Sequence, residues 1–345
     1  MKAAILEKIA TISGKRQPLK IVDLPLPQVK AGEILVKISA CGVCHTELDE
    51  IEGRTPPARL PCIPGHQIIG TVIGRGEGAT KFATGQRVGI GWINSACGHC
   101  EYCLAGDENL CPDFLATGRD VPGGYAEYVT VAENFAFAIP DIFTDAQAAP
   151  LLCAGAIGYR SLSLANLKNG GSLGLTGFGA SAHLILKMVR HLYPQSDVFV
   201  FARSENERLF ALNSGAVWAG DIGEESPHKL HAVIDTTPAW RPVVEALGNL
   251  APAGRLIINA IRKEDTDRNY LLQLDYARHI WLEKEIKSVA NVTRRDIEDF
   301  LILAAQIPLH PAVEEYPLEE ANRALTQLKE GKINGAKVLK IGSSG

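Results

Sequence analysis

The stretch GSLGLTGFGASAHLILKMVRHLY, residues 171–193, decides one half of the fold. An apolar run ends in Gly177-Phe178-Gly179-Ala180-Ser181-Ala182, the G-x-G-x-x-A form of the dinucleotide fingerprint, and an amphipathic helical pattern follows at once. Gly177 permits the tight turn, Gly179 lets a pyrophosphate approach the backbone, and Ala182 allows the helix to pack closely on the strand. The helix start at Ala180 adds partial positive charge for an anion. Such a motif also occurs in plain Gly-rich turns. The strand before it and the helix after it give it weight here, and residues 177–180 with Ala182 are the expected cofactor contacts.

Downstream, DVFVFARS leads into NERLFALNSGA, then HAVIDTTP into WRPVVEALGNL and GRLIINA. Strands alternating with helices predict a parallel, doubly wound Rossmann sheet in an α/β protein. The strand after the fingerprint ends in Ala202-Arg203-Ser204, with the first acid at Glu205. NAD sites place an acid at that strand end for the ribose 2′-OH, whereas Arg203 with Ser204 suits a 2′-phosphate. A solvated cation at a strand end is the plainer reading of Arg203. The cofactor expectation is NAD(P), leaning to NADP.

Residues 1–150 read differently. EILVKISACGV, GQRVGIGW and GGYAEYVTV are short strand-like runs separated by Gly and Pro turns, the punctuation of a β-rich domain. Near residue 150, TDAQAAPLLCAGAIGYRSL predicts a helix capped at Thr144 or Asp145. The final PLEEANRALTQLKEGKINGAKVLKI reads as helix, turn and strand returning to the first domain. The expected boundaries are therefore 1–152 with 310–345 for the β-rich domain and 153–309 for the nucleotide domain.

Of eight cysteines, Cys97, Cys100, Cys103 and Cys111 fall within fifteen residues. In a reducing compartment that spacing reads as metal binding rather than disulfides. Four thiolates close the coordination sphere of Zn²⁺, so a lobe at about 94–113 is expected to carry a structural zinc. Cys44, His66 and Cys153 are dispersed, yet together they have the composition of an open, catalytic zinc site. Spacing alone does not bring those three together: a His after Pro-Gly also serves in turns, and buried Cys also simply packs.

A length of 345 residues argues for two domains. A net charge of −4 and a pI near 6.2 argue against a nucleic-acid or anionic-membrane surface. No run approaches the roughly 20 apolar residues of a membrane span, and MKAAILEKIATISGKRQPLK lacks a secretory pattern. A cytoplasmic protein is expected.

The residues GVCHTEL, PGHQIIGTV, the four-Cys lobe, LLCAG and GFGASA stand in the order found in zinc-dependent alcohol dehydrogenases of the medium-chain dehydrogenase/reductase family. The resemblance covers nearly the whole chain. It implies a GroES-like catalytic domain, a Rossmann domain and an active site between them, with a homodimer or homotetramer as the assembly. By resemblance, Cys44, His66 and Cys153 match the catalytic zinc ligands, for two Zn²⁺ per chain. Thr46 matches the hydroxyl that passes the alcohol proton outward, His45 the basic residue near the cofactor pyrophosphate, and Trp92 an aromatic wall of the substrate pocket. A pocket so lined suits primary alcohols and aldehydes; a core Trp is the other reading of Trp92. The open zinc polarises the substrate oxygen and lowers its pKa, and the nicotinamide takes up hydride.

The chain departs from the family at four places. Asp49 stands where the proton relay commonly ends in His. Glu47 replaces the usual Asp, long enough to orient the His66 ring. Asn334 and Ala336 stand where relatives often carry Arg for the pyrophosphate, leaving Lys337 as the nearby cation, and Gln67 replaces a frequent Glu. A zinc-free reductase on the same fold gives no reason to keep Cys44, His66 and Cys153. From a different class, the chain reads as a catalytically weak NADPH-binding redox sensor with a zinc-thiolate switch.

Overall fold

The computed structural model describes residues 1–307, 309–331 and 335–342, so Asn334 lies outside the described residues. The chain divides into two units, Met1–Cys153 with Thr293–Gly345, and Ala154–Val292.

In the first unit, strand Glu33–Val43 is the spine of a seven-stranded sheet. Ile34, Val36, Ile38 and Ala40 are buried, the period-2 pattern of a strand packed on a core. It pairs antiparallel with Ile68–Arg75, Tyr128–Ala132 and Ala336–Lys340. The outer strands are Arg87–Ile90, Ala136–Ala138 and Val313–Pro317.

The second unit has six parallel strands. Their spatial order is Trp218–Gly220, Asp197–Phe201, Ser172–Thr176, Leu230–Asp235, Leu250–Ile258 and Glu285–Ser288. Numbered within the unit this is 3-2-1-4-5-6, the doubly wound Rossmann order, and the α/β class is the one the sequence predicts. The switch point lies beside Ser172–Thr176, the strand that carries the glycine fingerprint.

The return to the first unit differs from expectation: it begins at Thr293, not at 310. Helix Arg294–Gln306 starts on a capping box in which Thr293 accepts from Asp296 N and Asp296 bonds back. Its Ile297 is fully buried in the first unit, so close to Gly91 that a Cβ there would lie 2.9 Å from Ile297 Cδ1. The Arg294 guanidinium spans both oxygens of Glu108 at 2.9 and 2.7 Å and lies over the Phe135 ring. Apolar burial and this bidentate pair bind the helix to the first unit.

The other departure is Lys337. Its side chain is fully buried, and Nζ donates to Glu314 Oε2 at 2.7 Å, Tyr316 OH at 2.8 Å and Gln327 Oε1 at 3.2 Å. All three ammonium protons are used inside its own unit, so Lys337 is a structural cation and not a pyrophosphate ligand.

Candidate metal centre and nucleotide site

Cys44 closes the spine strand and caps helix His45–Ile51, its Sγ accepting from Thr46 N at 3.4 Å. Glu47 completes a capping box, accepting from Cys44 N at 2.8 Å. The other oxygen of Glu47 meets His66 Nδ1 at 2.5 Å. Both side chains are buried, so the carboxylate holds the Nδ1 side of the ring and turns Nε2 toward Cys44, the arrangement of a carboxylate–histidine–metal triad. Nε2 lies 3.8 Å from Cys44 Sγ. His66 is aimed by Gly65, whose φ of +100° favours glycine and whose Cβ would strike Tyr125.

The third ligand comes from an irregularity. The predicted helix is capped at Thr144 and runs Asp145–Pro150, then widens into a π turn over Leu151–Gly155 before resuming at Ala156. Cys153 sits in that turn, a device that often marks functional positions. The ligand atoms of Cys44, His66 and Cys153 all lie within 4.8 Å of one another. The protein's own groups hold the Cys44 thiol well above its ordinary value, first through its hydrogen bond with Cys153, then by burial and the charge of Glu47. Burial opposes charge on Glu47, but the His66 ring and the Cys44 N–H bring its carboxyl below the usual range. One imidazole and two crowded sulfurs fit a dication that takes them as thiolates, releasing their protons on binding.

In the lobe, the ligand atoms of Cys97, Cys100, Cys103 and Cys111 also lie within 4.8 Å of one another. Cys97 and Cys103 are 3.9 Å apart, against about 3.8 Å for the edge of a tetrahedron with Zn–S bonds near 2.3 Å. Hydrogen bonds from the His99 and Cys100 backbone bring the Cys97 thiol down to about 6. This set fits a closed, four-thiolate metal.

Around the first centre, Thr46 is half-buried and His45 exposed. Asp49 is buried and accepts from Arg54 Nε at 2.5 Å, and Arg54 also pairs with Glu52. Gln67 is buried over Gly42, where a Cβ would lie 2.2 Å from Gln67 Oε1. The Trp92 ring is half-buried, tilted against Phe114 at 5.1 Å with the Arg119 guanidinium 5.0 Å above it.

In the second unit, Gly177 has φ +75° and leads into Gly179, the N-cap of helix Ala180–Leu192. A Cβ built on Gly179 meets nothing within 4 Å among the described residues, so the space in front of this backbone is open. Ala182 is fully buried under the strand. Phe178 turns inward, stacked edge-on against His183 and Phe210, which leaves only its backbone to face a nucleotide. Arg203 is exposed, and Ser204 caps helix Glu205–Ser214, exchanging hydrogen bonds with Glu207.

Several participants escape a reading by motif. Arg208 returns from the helix to the Ala202 and Arg203 carbonyls at 2.8 and 3.0 Å and lies 3.8 Å from Asp221. At the carboxyl ends of two central strands, buried Asp235 accepts from Thr176 at 2.5 Å and Thr237 at 2.8 Å and pairs with Lys263. Lys263 carries no local signal, because its partner Asp235 is set by chain return, whereas Arg54 pairs with Asp49 and Glu52 within five residues. Arg208 was legible as a second cation one helical turn beyond Ser204.

The residues 30–141 match the family model described as alcohol dehydrogenase GroES-like domain. The chain is 42 % identical over 329 residues to a probable alcohol dehydrogenase, AdhA, of Mycobacterium tuberculosis, covering 94 % of this chain and 93 % of that one. An alcohol dehydrogenase of Geobacillus stearothermophilus is 33 % identical over 343 residues, covering 97 % and 99 %. Among solved structures, a cinnamyl alcohol dehydrogenase of Sorghum bicolor superposes with a TM-score of 0.85 at 25 % identity, covering 98 % and 97 %.

Proposed function

The chain belongs to the zinc-dependent alcohol dehydrogenases of the medium-chain dehydrogenase/reductase family, and from that premise we propose that it interconverts primary alcohols and aldehydes with NADP(H) at Cys44, His66 and Cys153. The observation that carries this reading is the convergence of those three ligand atoms, with Glu47 locked behind His66. A zinc ion held by these ligands would supply the Lewis acidity that lowers the alcohol pKa, and a bound nicotinamide would supply the hydride acceptor. The chain's part is to hold the ligands, orient the His66 ring through Glu47 and pass the alcohol proton through the Thr46 hydroxyl. Asp49, paired with Arg54, ends that relay. The pyrophosphate rests on Gly177–Ala180, and Ala182 seats the helix beneath it. A second zinc, on Cys97, Cys100, Cys103 and Cys111, pins the lobe.

The test is a panel of alcohols and aldehydes assayed with NADPH and NADH before and after chelation, alongside zinc analysis. Two zincs per chain and activity lost on stripping are expected; full activity with both zincs removed would reject the mechanism. The competing zinc-thiolate switch instead requires lobe zinc to leave on mild oxidation together with nucleotide binding.

The NADP preference rests on Arg203, Ser204 and the adjacent Arg208. Arg203→Ala with Arg208→Ala is expected to raise the KM for NADPH about tenfold or more, as lost charge-assisted contacts would. The KM for NADH should move little. An equal effect on both cofactors would show these arginines to be structural.

A homodimer or homotetramer is the proposed assembly. Edge strand Glu285–Ser288 is exposed along its length, and Leu272, Tyr276, Trp281 and Ile286 are exposed apolar side chains nearby in sequence. Unpaired edges and apolar surface of this kind favour a second copy. Among the described residues no helix is long and apolar enough to cross a membrane, and with eight unpaired cysteines a reducing cytoplasm is the proposed location.

A further inference from the structure

One buried acid has no part in the mechanism above. Glu50 lies one turn beyond Glu47 on helix His45–Ile51, 1 % exposed, and among the described residues neither carboxyl oxygen has a hydrogen-bond partner. Such a group calls for explanation, because buried polar atoms are nearly always paired. The Trp92 indole Nε1 is likewise buried and unpaired, and its N–H is the hydrogen-bonding group that bears on the Glu50 carboxyl. Trp92 donates only, and a carboxyl accepts, so the two orphans complement each other.

We propose that Glu50 is the positioning residue for Trp92: its buried carboxyl accepts the indole N–H, directly or through one buried water, and fixes the ring that walls the substrate pocket. The functional part of this rests on the reading of Trp92 as a pocket wall. The ring is already held on two sides, by Phe114 and by the Arg119 guanidinium, and its main-chain carbonyl accepts from Thr117 N at 2.8 Å. The N–H is the remaining handle, and it sets rotation about the ring's long axis. Burial, then the neighbouring Glu47, pushes the Glu50 carboxyl up to about 8, with His66, Trp92 and Arg119 acting the other way. A neutral amide of the same size can replace it as acceptor, whereas an alkyl group cannot.

The experiment uses zinc-loaded Glu50→Gln, Glu50→Leu and Trp92→Phe. Trp92 emission is isolated by subtracting the spectrum of Trp92→Phe, and kcat/KM is measured for a short and a bulky primary alcohol. Glu50→Leu is expected to shift the Trp92 emission and to change discrimination between the alcohols about tenfold in the direction of Trp92→Phe. Glu50→Gln should stay within about twofold of the parent in both readouts. Unchanged Trp92 emission in Glu50→Leu would overturn the proposal, as would a Glu50→Gln variant as damaged as Glu50→Leu. If Trp92→Phe leaves discrimination unchanged, the pocket-wall reading fails by itself, and the emission spectra still decide whether Glu50 positions the ring.

Discussion

Cys44→Ser is expected to lower kcat/KM for a primary alcohol by about 10³-fold or more, the several kcal/mol a Lewis acid contributes to the transition state. Serine is the informative replacement because Cys44 does two jobs. Its Sγ caps helix His45–Ile51, and a hydroxyl keeps that cap where alanine would cost about 1 kcal/mol. A neutral hydroxyl is a poor zinc ligand, however, and leaves His66 and Cys153 as an incomplete site. Zinc content should fall from two per chain to one, with the melting temperature changed by only a few degrees. A Cys44→Ser protein that keeps two zincs and parent activity would remove Cys44 from the catalytic centre.

Cys103→Ala is expected to do the reverse: strip zinc from the lobe while the first centre keeps its metal. Helix Glu101–Ala105 buries none of its residues, so little besides the metal holds this segment folded. Structural zinc contributes about 10 kcal/mol or more of apparent binding free energy, and losing it should unfold the lobe locally. Proteolysis at residues 97–111 should speed up, and thermal unfolding should begin earlier. The bidentate Arg294–Glu108 pair ties one edge of the lobe to helix Arg294–Gln306. The damage should therefore reach that helix and be seen as faster hydrogen exchange there. Unchanged proteolysis after loss of the lobe zinc would show that packing alone holds the segment.

These residues also show where sequence reading stops. The fingerprint Gly177–Ala182 and the lobe cysteines are local patterns: backbone conformation and ligand spacing are fixed within a few residues, so the motif contains its own geometry. The spine strand Glu33–Val43 was readable for the same reason, its alternation being a property of consecutive residues. Lys337 misled because charge and position were legible but burial was not. Its partners Glu314, Tyr316 and Gln327 sit on other elements that fold around it. The boundary at Thr293 was signalled by the Thr293–Asp296 capping box, yet that motif marks only where a helix starts, not which unit it joins.

By itself, then, the sequence determined the two-unit α/β plan with a parallel, doubly wound sheet, and named seven candidate metal ligands, three of them through the family resemblance. Those features depend on short-range periodicity and on side-chain chemistry carried in the residues themselves. Tertiary structure alone decided that Cys44, His66 and Cys153 converge, that Glu47 orients the His66 ring, and that Cys153 is presented by a π turn. It also decided which neighbouring groups are sealed from water, Glu50 among them. Each of these is a meeting of groups far apart in the chain, or a choice of which side of a helix is sealed from water. Packing makes that choice, because the cost of burying a polar group depends on the partners that the whole fold brings to it.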